Sequence, residues 1–116
     1  MHMRSGVQRR LARDVLTDAQ VQVASATFRT LADPTRLRLL YALVVGPASV
    51  NALALTCGVS PSAMSHQLQR LRDQGLVSYT RDGAVLRYEL LNSHVANLCR
   101  EALYLADHLV SGSRHR

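Results

Sequence analysis

The sequence predicts a mainly α-helical domain with one small β-hairpin, folded as a winged helix-turn-helix in the order α-α-α-α-β-β-α. Three observations predict it. Apolar residues recur at helical spacing over most of the chain. Two helical segments, "VNALALTC" and "PSAMSHQLQRLRDQ", are separated only by a tight turn containing Gly58. Directly after them the period changes from about 3.6 to about 2 in "LVSYTRDGAVLRYELL".

Each element has its own boundary signals. Residues 1–16 form a basic tail with Arg4, Arg9, Arg10 and Arg13 and little apolar pattern. Thr17 followed by Gln20 has the form of a capping box and opens the first helix, "DAQVQVASATFRTLA". Asp33-Pro34 places a capping residue before a proline, starting a second helix that stops at Gly46-Pro47. Ser49 caps the third helix, and Ser60-Pro61 repeats the cap-plus-proline signal for the fourth, which Gly75 closes. Asp82-Gly83 is a two-residue hairpin signal. Asn92 caps the last helix, so the domain covers 17–110 and residues 111–116 form a C-terminal tail.

A chain of 116 residues, 47% hydrophobic, is one domain able to bury a core. Its scarcity of aromatics and wealth of Ala and Leu favour helix. The formal net charge is +6, and every basic residue is Arg. Arginine usage of this kind follows from a GC-rich genome, yet a small basic domain also suits a polyanion such as nucleic acid. Cys57 and Cys99 are too few for a secreted disulfide scaffold. No apolar run approaches the ~20 residues of a membrane span, and "MHMRSGVQRR" lacks a signal-peptide core, so a cytoplasmic chain is expected.

Met64, Leu68 and Leu71 give the fourth helix a buried stripe, and its other face presents Ser62, Ser65, His66, Gln69 and Arg70. Short donors near a helix N-terminus can approach base edges closely, and that terminus itself favours phosphate. The hairpin that follows has Arg81 before its turn and Arg87 beyond it, placed as a wing to reach backbone phosphates or an adjacent minor groove. Ser and Arg also solvate ordinary helix faces; the helix pair together with a basic hairpin favours DNA binding. Ser65 beside His66 is not a catalytic pair, because adjacent helix residues do not face each other and no third orienting group appears. The chain is expected not to be an enzyme.

The segments "LADPTRLRLLYALV", "SVNALA", "GVSPSAMSHQLQRLRDQGLV" and "RDGAVLRYEL" strongly resemble the ArsR/SmtB family of winged-helix, metal-responsive repressors, over about residues 20–110. The resemblance implies a homodimer built by the first and last helices and operator reading by the fourth. It carries DNA contacts to Ser62, Ser65 and His66; Gln69, Arg70, Arg81 and Arg87 are added from charge and placement.

The resemblance also implies several alternative sensor sites. The thiolate site needs a Cys-rich segment near "LADPTR", which is absent, and a helix 3 cysteine found in some relatives is Ser49 here. Cys57 and Cys99 are expected to be small buried residues, with thiol-based redox sensing or no small ligand at all as alternatives. Zinc-type members carry "D-x-H" at the start of the last helix, with ligands eleven and fourteen positions after that His. Here the start is Asn92-Ser93-His94, plus eleven is Leu105 and plus fourteen is His108, so the hydrogen-bond relay assigned to plus eleven has no counterpart. His94, Asp107-His108 and His115 resemble instead the actinobacterial nickel/cobalt-sensing branch, which implies nickel, with cobalt or zinc as alternatives.

Helical phase bears on this ligand set. His94, Leu98, Glu101, Leu105 and His108 lie within roughly 40° of one line, whereas Asp107 points away and Glu101 offers a carboxylate on the line. Fourteen residues at ~1.5 Å rise put about 21 Å between His94 and His108, against a metal–imidazole bond of ~2 Å. A shared ion therefore needs a second copy of the helix, antiparallel across a twofold axis, giving two equivalent sites. The row Val95, Cys99, Ala102, Ala106 and Leu109 would then face the body of its own subunit. The competing reading is of two unrelated helix-end histidines, His108 being favourable at the C-terminal dipole.

Overall fold

A computed structural model describes residues 16–114. The arginine-rich segment before Leu16, and His115, lie outside the described residues. The elements are α1 (Asp18–Leu31), α2 (Pro34–Val45), β1 (Ala48–Ser49), α3 (Val50–Cys57), α4 (Pro61–Asp73), β2 (Val77–Asp82), β3 (Val85–Leu90) and α5 (Ser93–Arg114). The chain divides into two compact units after Asp33.

The first unit contains α1. Thr17 and Gln20 form the expected capping box: the Gln20 amide donates to Thr17 Oγ1 at 3.1 Å, and the Thr17 amide donates to Gln20 Oε1 at 3.3 Å. The apolar side chains of Val21, Val23 and Phe28 on this helix are exposed.

In the second unit α2 packs against α3 and α5, and α3 packs against α4. Leu39 and Leu40 of α2, Leu53 of α3 and Met64, Leu68 and Leu71 of α4 are almost entirely buried, with Val77 and Cys99 closing the core. Ser49 and Ser60 cap α3 and α4 by accepting from the amides of Ala52 and Ala63. Both helices end in Schellman hydrogen-bond pairs. Gly58 donates to Leu55 and Val59 to Ala54, and Gly75 donates to Arg72 and Leu76 to Leu71. Gly58 and Gly75 take φ of 70° and 76°, the left-handed region that such endings require.

The strands form a three-stranded antiparallel sheet in the order β1-β3-β2. The hairpin alone was expected. β1, two residues long, pairs Ala48 with Tyr88 and Ser49 with Arg87, and is too short for any alternation to announce it. The hairpin turn also lies one residue later than expected. Asp82 is the last residue of β2 and pairs with Val85, so the loop is Gly83-Ala84. Only Gly83 has positive φ, at 64°, and glycine at the first loop position is what a type II′ turn needs.

Asn92 caps α5 as expected, its Oδ1 accepting from the amides of His94 at 2.9 Å and Val95 at 3.2 Å. The helix does not stop at 110 but continues through Arg114, so most of the expected C-terminal tail is helical. Gly112, within the added turn, does not take the positive φ that would terminate the helix. Since residue 75 must be left-handed, Gly75→Ala is expected to destabilise the fold by about 1–2 kcal/mol, measured by denaturant unfolding.

Candidate nucleic-acid interface and last-helix face

Burial of Met64, Leu68 and Leu71, each at 0% exposure, fixes the rotation of α4. Ser62, Ser65, His66, Gln69 and Arg70 are then all exposed on the opposite face. Gln69 is not idle there: its Nε2 donates to Asp73 Oδ1, one turn on, at 3.0 Å.

The sheet separates the two wing arginines. Side chains alternate along a strand, so Arg81 shares a face with Tyr79 and Val77, while Arg87 points to the other face with Thr80 and Asp82. Arg87 Nη2 lies 3.7 Å from Asp82 Oδ2, both side chains being well exposed. Such a surface pair is worth only ~0–1 kcal/mol and leaves the guanidinium available to a stronger anion.

A contact the sequence reading missed ties the wing to α4. The Arg72 guanidinium carbon sits 4.5 Å from the centroid of the Tyr79 ring. Tyr79 in turn stacks on Tyr88, its cross-strand partner, with centroids 5.3 Å apart and an interplanar angle of 17°. Placing the turn at Gly83-Ala84 makes residues 79 and 88 a pair, so the signal was present but hidden by the one-residue slip.

On α5, Val95 and Cys99 are buried, and a second line centred roughly 130° around the helix from them carries His94, Glu101, Leu105 and His108, all exposed. The expected inner row holds only in its first half: Ala102 and Ala106 are exposed, and Leu109 is 59% exposed. The helix runs on past the core of its own unit, and the described residues of that unit leave most of its distal half exposed. Asp107 lies away from the histidine line, lining a groove of about 370 Å³ with Tyr41, Val44, Arg100, Leu103 and Tyr104. Among the described residues, no group of three or more His, Cys, Asp or Glu side chains is placed to hold one ion. His94, Glu101, Asp107 and His108 are thus not brought together within one chain.

The cysteines are free, Cys99 buried and Cys57 only half-buried rather than enclosed as expected. Burial pushes both thiols above their ordinary pKa, and at Cys57 the nearby Arg38 charge offsets part of the rise.

A model of bacterial regulatory proteins of the arsR family matches residues 33–79. Over 100 residues the chain is 45% identical to the HTH-type transcriptional regulator NmtR of Mycobacterium tuberculosis, spanning 86% of this chain and 82% of that one. The chain belongs to the ArsR family. This ArsR-family chain is also 46% identical to a transcriptional repressor SmtB homolog of Synechocystis, over 87% of its own length and 74% of that relative's. Among solved structures, the antimony-specific repressor AntR superposes with a TM-score of 0.75 at 34% identity, covering 84% of this chain and 88% of that one. The homodimeric winged helix-turn-helix DNA-binding domain of a Mycobacterium bovis protein superposes at 0.76 with 28% identity, covering 83% and 92%. Membership makes the chain a DNA-binding transcriptional regulator and not an enzyme. Among the described residues no helix is long and apolar enough to cross a membrane.

The raised thiol pKa values have a pH consequence. Below the ordinary thiol value of 9.0 both states are protonated at Cys99. Above it the unfolded chain ionises first, so the folded state loses stability as pH rises through the folded value. Wild type is expected to lose more stability than Cys99→Ala between about pH 8 and pH 10.5, read by denaturant melts.

Proposed function

We propose that this chain is a metal-responsive repressor that binds palindromic operator DNA as a homodimer, with nickel as the inducer ion and cobalt or zinc as alternatives. One observation carries the metal half of the reading. The histidine-bearing face of α5 is exposed, and the apolar side chains beside it, Leu105 at 60% and Leu109 at 59%, are left largely uncovered by the described residues. A face that combines ligands with uncovered apolar surface suits a second copy of the same helix.

In that dimer α5 runs antiparallel to its partner, and His94 of one chain meets His108 of the other. Residue 101 then falls midway, so Glu101 faces its own copy roughly 10 Å along the helix from either ion and is not a direct ligand. Asp107 could join only if the last turns of α5 loosened. Each ion therefore takes two imidazoles from protein within the described residues, and His115 is the next donor along the chain. Imidazole with open positions for oxygen suits nickel, cobalt or zinc; it does not suit thiophilic ions. Relatives include a probable mercury resistance operon repressor of Streptomyces lividans, 42% identical, which supports a metal response as a class. The redox alternative loses ground because a reactive cysteine needs a lowered pKa, and burial moves both thiols the other way.

On DNA, two copies of α4 would enter successive major grooves about 34–36 Å apart, with Ser62, Ser65 and His66 toward base edges and Arg70, Arg81 and Arg87 toward phosphates. Ser65→Ala and His66→Ala should each reduce the ratio of operator to random-DNA affinity by about five- to tenfold. Arg81→Ala should weaken both DNAs alike and lower the salt slope by about one. Fluorescence anisotropy over a salt series checks both, and an affinity that ignores salt would remove the phosphate assignments.

The metal reading has a symmetric test. His94→Ala homodimers and His108→Ala homodimers should each lose both sites. After chain exchange between them, the heterodimer keeps one site with both imidazoles and one with neither. Calorimetry should return one tight nickel ion per heterodimer. Tight binding by either single-variant homodimer, or none by the heterodimer, would show that these histidines do not share an ion across the axis.

A further inference from the structure

The wing needs more than charge to contribute to binding: its arginine must point where α4 has placed the DNA. The hairpin leaves α4 through Gln74-Gly75-Leu76, whose glycine is chosen for its φ of 76° and offers no side chain to hold an angle. The base of the hairpin is anchored, with Val77 at 2% and Tyr88 at 5% exposure. Beyond Tyr79, residues 80–85 are all exposed. Tyr79 is therefore the last part of β2 held by the body, and what holds it is Tyr88 on the neighbouring strand and Arg72 from α4.

We propose that Arg72 is a positioning residue: its guanidinium, lying over the Tyr79 ring, braces the wing against the last turn of α4 and so sets the direction of Arg81. Three features support this. Arg72 sits 80° around the helix from Met64, at the edge of the exposed face and beside the hairpin. Arg81 follows Tyr79 by two residues on the same face of the strand, so the orientation imposed at the ring is passed directly to it. A planar guanidinium covers an aromatic face in a way an ammonium does not, so the brace is specific to arginine. The Tyr79–Tyr88 stack makes the platform stiff, because Tyr88 is also paired through β3 to Ala48 of β1. Arg72 thus acts through Arg81, whereas Arg70, two residues earlier and farther around the helix, is the phosphate-facing group of this turn.

The proposal rests on the wing-and-helix interface described above and not on the metal site. Its test separates a brace from a direct phosphate contact by comparing Tyr79→Leu, Tyr79→Phe, Arg72→Gln and Arg72→Lys. In the free protein, residual dipolar couplings of residues 80–86 should fit one rigid frame with α4 in wild type and Tyr79→Phe. They should depart from it in Tyr79→Leu, Arg72→Gln and Arg72→Lys. On operator DNA, Tyr79→Leu, which removes no charge, should weaken binding about three- to tenfold, and Tyr79→Phe should restore it. Arg81→Ala should cost much less in the Arg72→Gln background than in wild type. Unchanged couplings in Tyr79→Leu and Arg72→Gln overturn the brace. So does an operator affinity lowered by Arg72→Gln but untouched by Tyr79→Leu, since that pattern marks a phosphate contact. If Arg81→Ala has no effect in wild type, the interface assignment fails, and the couplings still decide whether the brace exists.

Discussion

The rest of this molecule depends on the burial of one stripe, Met64, Leu68 and Leu71, at the bottom of α4. An apolar row at that spacing leaves a helix only one rotation, and removing any of the three from the core would cost roughly 2–5 kcal/mol. With rotation fixed, serine and histidine side chains early in the helix face outward without any interaction of their own to put them there. Ser60 and the Schellman pair at Gly75 fix where the helix begins and ends, and hence which side chains fall in its first turn. The face proposed to read DNA is therefore a consequence of packing on its opposite side.

Helix α5 is held differently. Val95 and Cys99 anchor its first half on the core, with α2 as the main neighbour, but the helix continues through Arg114. Its distal residues Tyr104, Leu105, Leu109 and Val110 each expose more than half of their surface. Apolar surface at this density, on a helix that also carries two histidines, is costly to leave in water. The proposed dimer would remove that cost and create the metal site in one step, which makes the two features one hypothesis.

Much of this was legible because the chain punctuates itself. Thr17, Ser49, Ser60 and Asn92 cap helices as their side chains and neighbours implied, and Gly58 and Gly75 end them. What was not legible has physical reasons. A two-residue strand has no period, so β1 could only be found through its partner β3. The hairpin turn was read at Asp82-Gly83 because that dipeptide suits a type I′ turn, whereas a single positive φ at Gly83 moves the loop one residue on. That slip concealed the Tyr79–Tyr88 pair, and with it the ring on which Arg72 lies. On α5 a periodic row reveals that a face is apolar but not how far the body beneath it extends, which is why Ala102, Ala106 and Leu109 were wrongly assigned to the interior. The face of Asp107 was legible, since helical phase alone turns it from His108.

How an ion on α5 could be felt by α4 follows from the packing order. Leu105 cannot carry a polar relay between the two helices, since it has neither donor nor acceptor. The remaining route is mechanical, because α5 touches α2, α2 touches α3, and α3 touches α4, through side chains that are almost wholly buried. Close-packed interiors deform little, so a shift of α5 moves these helices together and not one at a time. In the proposed dimer, an ion linking His94 to the partner's helix would thus act on the angle between two whole DNA-reading units. The wing belongs to the same body, through the contact of Arg72 with the Tyr79 ring and the contact of α5 with β3. What the ion would change is then the spacing of two rigid readers, which a palindrome with fixed half-sites is well suited to detect.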